Sequence, residues 1–227
     1  MADRSAVDLS MDTVADAASL ALLRGEEVIA EHAWVVETTM SRELLGQVAA
    51  LLTRAEVSRE EIVSIAVATG PGRYGAVRTG VATAQGLALG LDIPLAGVGR
   101  FEADAATLLP SLPVGRIVVA VHEAGRAGMA WAAYTHGLPG GLPTCVVEPR
   151  LSLLEELVQE APTPATWCGE LTEALRSALG AARDAGRRSG DTESEPPPGG
   201  RAAALVRLAR ARGSYGDPAL VDAFYLR

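Results

Sequence analysis

Ile62-Val63-Ser64-Ile65-Ala66-Val67-Ala68 runs straight into Thr69-Gly70-Pro71-Gly72-Arg73-Tyr74-Gly75-Ala76-Val77-Arg78-Thr79-Gly80. The first seven residues are apolar and rich in β-branched side chains, the composition of a buried strand. Gly70, Pro71 and Gly72 then break the run, and apolar and small residues recur at helical spacing from 76 to 91. A strand that ends in glycines and opens onto a helix converges backbone N–H groups on one spot, where an anion is stabilised. The same residues also serve as a tight strand-to-helix turn in which glycine supplies unusual backbone angles. Both readings stand at this point, and both place a β-loop-α unit at the centre of an α/β protein.

Upstream of this unit, 7–11, 19–23 and 28–36 read as a three-strand meander with a turn at Arg24-Gly25. Between 41 and 55, Leu44, Leu45, Val48, Leu51, Leu52 and Ala55 fall on one face of an amphipathic helix, and Ser58 with Glu61 has the spacing of a capping box. Downstream come a short strand at 95–98, a helix at 101–109 and the prolines Pro110 and Pro113. The pattern then begins again. Strands at 117–121, 129–134 and 143–147 precede helices at 151–159 and 171–182, with a strand at 166–168 between them and a last helix at 201–212. The repeat predicts two α/β lobes, 1–109 and 110–227, divided near 109–113. Residues 184–200, rich in Gly, Arg, Ser and Glu with three consecutive prolines, read as a flexible insertion in the second lobe.

Composition removes several functions. The chain has 227 residues and 48% apolar content, enough for a substantial core. All 20 basic residues are Arg, and there is neither Lys nor Asn anywhere. That excludes a Walker A lysine, a Schiff-base lysine and a Cys-His-Asn arrangement. A net charge of −8 disfavours unaided binding to a phosphate backbone. Cys145 and Cys168 lack CxxC spacing and fit a reducing compartment. No basic, apolar leader opens the chain and no apolar run reaches membrane-spanning length, so the expectation is a cytoplasmic protein with no membrane partner.

Chemistry-bearing clusters are few. His32, His122 and His136 have no metal-ligand spacing, and no Ser sits in a G-x-S-x-G elbow, so neither a metal site nor a catalytic residue is assigned. Glu26-Glu27 and Glu155-Glu156 read as solvated faces or helix ends. Asp12 and Thr13, at the end of the first strand, pair an acid with a hydroxyl that could orient a metal-bound water beside phosphate; a polar turn is the alternative. Arg201, Arg207, Arg210 and Arg212 read as a solvated helix face, with contact to tRNA in an assembly as the other possibility. On the helix at 76–91, Thr79, Ala82, Thr83, Gly86 and Gly90 form a stripe of small residues. Glycine inside a helix costs about 0.8–1.0 kcal/mol relative to alanine, so two on one face call for a packing or interface reason. The partner is either another helix or the chain's own sheet.

Met11-Asp12-Thr13, the loop from Gly70 to Gly80, the Ala-, Gly- and Leu-rich helix after it and the terminal Tyr225-Leu226-Arg227 together resemble the TsaB (YeaZ) family. The family loop is Gly-Pro-Gly-Ser-Phe-Thr-Gly-Leu-Arg-Ile-Gly; this chain keeps Gly70, Pro71, Gly72, an aromatic at Tyr74, Arg78 and Gly80, and departs at Arg73, Gly75, Ala76, Val77 and Thr79. The family's Leu-Asp-Thr-Ser becomes Met11 to Val14, and its Asp-Ala-Arg becomes Glu123-Ala124-Gly125.

The resemblance implies an α/β protein of the actin-like ATPase superfamily, with two RNase H-like lobes and a nucleotide place between phosphate loops from each. It implies a non-catalytic scaffold or activator of a TsaD-type threonylcarbamoyltransferase, which makes threonylcarbamoyladenosine (t6A) on tRNA. TsaD carries a paired-histidine metal site on an early helix, where this chain has Met40-Ser41-Arg42. Degenerate phosphate loops then fall on Asp12, Thr13, Gly70, Pro71 and Gly72, with no cofactor of the chain's own. The family pairs through the first two helices of its first lobe, which implies an interface over Leu44, Val48, Leu51, Thr79, Ala82, Thr83, Gly86 and Gly90. Partners so implied are a TsaD-like protein, a TsaE-like ATPase, a second copy of the chain when alone, and tRNA only through the complex. The competing reading is an independent ATP-dependent phosphotransferase or ATPase built on Asp12, Thr13 and the glycine loop.

Overall fold

The computed structural model describes residues 6–15, 17–137, 141–195 and 200–226. Contacts divide the chain into one unit of Met1–Arg100 with Pro197–Phe224, and another of Phe101–Pro196 with Tyr225–Arg227.

In the first unit the strands β1 (Val7–Asp12), β2 (Ala17–Arg24), β3 (Glu27–Val35), β4 (Ile62–Gly70) and β5 (Leu95–Gly99) form one sheet in the order β3-β2-β1-β4-β5. The meander β1-β2-β3 is antiparallel, whereas β1-β4 and β4-β5 are parallel and therefore need helical crossovers. The crossovers are α1 (Met40–Arg54) and α2 (Tyr74–Leu91), which pack on each other, α1 also on β3 and α2 on β4. Glu61 accepts a hydrogen bond from the Ser58 N–H at 3.0 Å, half of the capping box read from the sequence.

The second unit repeats the layout. Strands β6 (Ile117–Glu123), β7 (Met129–Thr135), β8 (Thr144–Ser152), β9 (Ala165–Gly169) and β10 (Thr192–Glu193) lie in the order β10-β9-β6-β7-β8, with β6-β7-β8 antiparallel and β6-β9-β10 parallel. Trp131 and Trp167, both 0% exposed, centre a core with Leu157, Leu175 and Leu179 from α4 (Leu154–Glu160) and α5 (Glu173–Asp184). Each sheet thus has one β-meander extended by parallel strands, the two-lobe α/β architecture that the resemblance implied.

Three expectations need correction. The lobes do not divide at 109/110. The helix α3 (Arg100–Leu108) turns Phe101, Ala105 and Leu108 into the core of the second sheet. The helix α6 (Gly200–Arg212) packs on β1, β2 and β4 of the first. Sequence order does not dictate which sheet a terminal helix returns to. Second, of the expected flexible insertion 184–200, residues 184–195 are ordered by buried polar contacts: Arg188 and Asp191 are 2% and 7% exposed, and β10 pairs with β9. Residues 196–199 lie outside the described residues. Third, β8 continues to Ser152, so α4 starts at Leu154 and not at 151. Its Glu156 caps the start by accepting from the Leu153 N–H at 3.0 Å.

Candidate functional site

The parallel pairing of β1 with β4 carries Asp12 and Thr13 to the edge where the glycine loop leaves β4. The loop adopts its path for steric reasons. Gly70 has φ of +113°, and a Cβ there would lie 2.7 Å from the Phe224 carbonyl oxygen, so only glycine fits. A Cβ at Gly72 would collide with the backbone of Val14, and one at Gly80 with the hydroxyl of Thr13. Gly70, Pro71, Gly72, Asp12 and Thr13 therefore meet at one junction, with Gly80 added as the residue that lets α2 approach Thr13. Farther up α2, the Arg78 guanidinium lies 4.7 Å from the centre of the exposed Tyr74 ring.

The chemistry of this junction differs from that of an open phosphate cradle. Asp12 and Thr13 are both 0% exposed. Asp12 Oδ1 accepts the Val14 N–H at 3.1 Å, and Oδ2 accepts Nε–H of Arg201 at 2.5 Å. Thr13 Oγ1 donates to the Ala76 carbonyl at 3.0 Å, inside the first turn of α2. Both side chains that a nucleotide–metal ligand would need face inward and hold partners from the chain itself. The nucleotide and divalent cation that an actin-like fold implies do not fit this donor set.

The sequence alone places Arg201 on a solvated face. Instead α6 lies along β1, and Arg201 and Arg210 reach Asp12 and Asp8 respectively. Arg210 also donates to the Gly25 carbonyl, and Ser64 donates to Asp8. Burial of the Tyr215 phenol beside this cluster, with the Asp8 carboxylate nearby, pushes it up to about 12. Arg207 and Arg212 stay exposed. No local signal marks Arg201 as a partner of Asp12, because the two are 189 positions apart.

On the helical pair, Leu44, Val48 and Leu51 are at most 5% exposed and turn inward. They belong to the core and not to an outer docking face, which corrects their assignment to the interface. The exposed residues of α1 include Leu45, 54% exposed, with Gly46 and Ala49. On α2 the inward face is Val77, Gly80, Val81, Ala84 and Ala88, so the stripe is not the side that meets the sheet. Ala82, Gly86 and Gly90 are exposed, Thr79 and Thr83 half-buried, and a Cβ at Gly86 or Gly90 would meet nothing within 4 Å. Leu89 beside them is 62% exposed.

A C-terminal segment missed by sequence reasoning completes the surroundings. Gly216 pairs with Leu95 at the free edge of β5, the Gln85 side-chain amide donates to the Pro218 and Val221 carbonyls at 3.1 and 2.9 Å, and the Phe224 N–H donates to Thr69 at 2.7 Å. Arg227 of the terminal motif lies outside the described residues. Elsewhere His122 Nδ1 is 2.7 Å from Glu170 Oε2, His136 Nε2 is 2.7 Å from the Leu109 carbonyl and His32 stacks on Trp34. Among the described residues no group of three or more His, Cys, Asp or Glu side chains is placed to hold a metal ion, and no helix is long and apolar enough to cross a membrane.

Residues 35–137 match the family model described as TsaD, tRNA N6-adenosine threonylcarbamoyltransferase. That stretch takes in α1, the glycine loop and α2. The tRNA threonylcarbamoyladenosine biosynthesis protein TsaB of Bacillus subtilis is 38% identical over 98 residues, 43% of each chain. Its counterpart from Escherichia coli is 32% identical over 126 residues, 56% of this chain and 54% of that one. The structure of YeaZ from Pseudomonas aeruginosa superposes with a TM-score of 0.76 at 22% identity, covering 97% of this chain and all of that one. Over these segments in sequence, and over nearly the whole chain in fold, the protein is similar to TsaB (YeaZ) proteins. The fold is the two-lobe α/β fold of the actin-like ATPases. The aligned segments span about half the length of the curated TsaB relatives.

Proposed function

We propose that this chain is a non-catalytic scaffold and activator of a TsaD-type threonylcarbamoyltransferase in the formation of t6A on tRNA. The observation that carries the reading is the outer face of α2. Ala82, Gly86, Leu89 and Gly90 leave a helix surface with low side-chain relief and exposed apolar area, open to close approach by another helix. Thr79 and Thr83 flank that face, and Leu45 and Ala49 of α1 supply its second helix. The functions named for the TsaB relatives and for the matching family support t6A formation as the process and a TsaD-like protein as the partner.

In this reading the same face takes a second copy of the chain when the partner is absent, a TsaE-like ATPase joins the assembly, and tRNA is met through the complex in the cytoplasm. The independent ATPase reading requires Asp12 and Thr13 to serve a ligand, and their internal bonds weigh against it.

Replacing Gly86 with Arg tests the docking face. The position is open in the isolated chain, so the variant should keep its circular dichroism spectrum and thermal transition. A charge forced into a desolvated contact costs several kcal/mol, and each 1.4 kcal/mol is about tenfold in affinity. Binding to a purified TsaD-type protein, measured by calorimetry, should weaken by orders of magnitude. A folded variant with unchanged affinity removes α2 from the interface.

A further inference from the structure

We infer that Arg201 is a built-in counter-cation for the loop after β1: it takes the place on Asp12 that a divalent cation would need, and so keeps the first phosphate loop closed. The inference goes beyond the docking reading and does not depend on it, because it rests on the Asp12 junction alone.

Both carboxylate oxygens of Asp12 are committed, Oδ1 to the Val14 N–H and Oδ2 to Arg201. The carboxylate is fully buried, and the Arg201 side chain is 16% exposed. A buried carboxylate without a partner carries a large desolvation penalty, so one positive charge has to accompany it. In an open phosphate loop that charge comes with the ligand; here it comes from α6. The neighbouring groups close the same space: Thr13 spends its hydroxyl on the Ala76 carbonyl, and Gly72 lies against the Val14 backbone.

The axial spacing of the two arginines on α6 matches that of the two aspartates on β1. Asp8 and Asp12, four residues apart on a strand, lie on one face and about 13 Å apart. Arg201 and Arg210, nine residues apart on a helix, are separated by about 13.5 Å of rise. The helix start meets the strand end and the later arginine meets the earlier aspartate, so α6 runs antiparallel to β1 with both ion pairs in step. Sliding α6 to release Asp12 would also break the Arg210–Asp8 pair. Ala202, Ala203, Ala204 and Ala209 on α6, all buried, let the helix backbone come close enough to the sheet for both arginines to reach.

Thermal unfolding of the full chain, with and without millimolar MgCl2 and with MgCl2 plus ATP, tests this. The native chain should show the same melting temperature in all three, since a ligand that binds only the folded state raises it. Arg201→Met should melt lower than the native chain and recover in part on addition of MgCl2 alone, with the cation replacing the lost guanidinium. Arg201→Met combined with Asp12→Asn removes both charges and should melt higher than Arg201→Met alone, without response to MgCl2. If Arg201→Met does not fold while the double variant does, the charge pairing is supported by that rescue. A rise for the native chain with MgCl2 or MgCl2 plus ATP overturns the inference. So does an Arg201→Met variant as stable as the native chain, and so does a double variant no more stable than Arg201→Met.

Discussion

Arg188 Nε and Asp191 Oδ2 form an ion pair of 2.6 Å in which the two side chains are only 3% and 1% exposed. Both side chains make further hydrogen bonds. Arg188 donates to the carbonyls of Val158, Ala161 and Pro162 and lies 5.0 Å from the centre of the Trp167 ring, and Asp191 accepts from Trp167 Nε1, the Ala165 N–H and Thr163 Oγ1. Breaking one side of such a buried pair costs about 3–5 kcal/mol because the other charge is left without compensation. Asp191→Asn should therefore lower the stability of the chain by about 3 kcal/mol in denaturant titration. In the native chain, limited proteolysis should spare the peptide bonds between 185 and 191, and the variant should expose them.

The same carboxylate sets an acid limit. Burial alone would raise its value, but the Trp167 and Ala165 donors and the Arg188 guanidinium outweigh that and hold Asp191 below the usual carboxylate range. A carboxyl depressed in the folded state contributes stability that is fully present above its unfolded value, about 3.9, and lost as pH falls through the folded value. Stability should be unaffected by this group between about pH 7 and pH 5 and should fall below about pH 4. In Asp191→Asn the acid limb of the stability profile should be shallower; an identical limb would assign the acid sensitivity to other groups.

Three glycines of one helix should respond to alanine in opposite directions. Gly86 and Gly90 are open, so Gly86→Ala and Gly90→Ala should each stabilise the isolated chain by up to about 1 kcal/mol, the difference in helix propensity. Gly80→Ala drives a methyl group into Thr13 and should destabilise by about 1–3 kcal/mol. Melting temperatures of the three variants decide the matter, and a stabilised Gly80→Ala would refute the close contact.

Cys145 is exposed as a residue, yet partial burial of its sulfur and the nearby Glu148 carboxylate push the thiol up to about 11. The thiolate is the reactive form, so alkylation of Cys145 by iodoacetamide near neutral pH should be slow and should rise about tenfold per pH unit below that value. Cys168, fully buried, should label only on unfolding. Mass spectrometry of partly alkylated protein separates the two thiols.

Local periodicity makes much of this fold legible in the sequence. The β-branched run 62–68, the alternation in the meander and the 3.6-residue spacing of α1 and α2 depend on neighbours within a turn or a strand, and their layout recurs in the second half of the chain. The same local pattern marks the small-residue stripe and the acid–hydroxyl pair Asp12 and Thr13. Only tertiary structure decided how those features are used. Leu44, Val48 and Leu51 face the core because α1 lies on β3 and α2, and Leu45 beside them does not. The polar, glycine- and arginine-rich look of 184–195 hid one arginine and one aspartate that satisfy each other in the interior. Asp12 gained its counter-charge from Arg201, 189 positions away, because α6 returns to the first sheet and runs antiparallel to β1. Sequence spacing reports which residues share a face of one element; which charge meets which across two elements is set by sheet order and by the direction in which a helix crosses it.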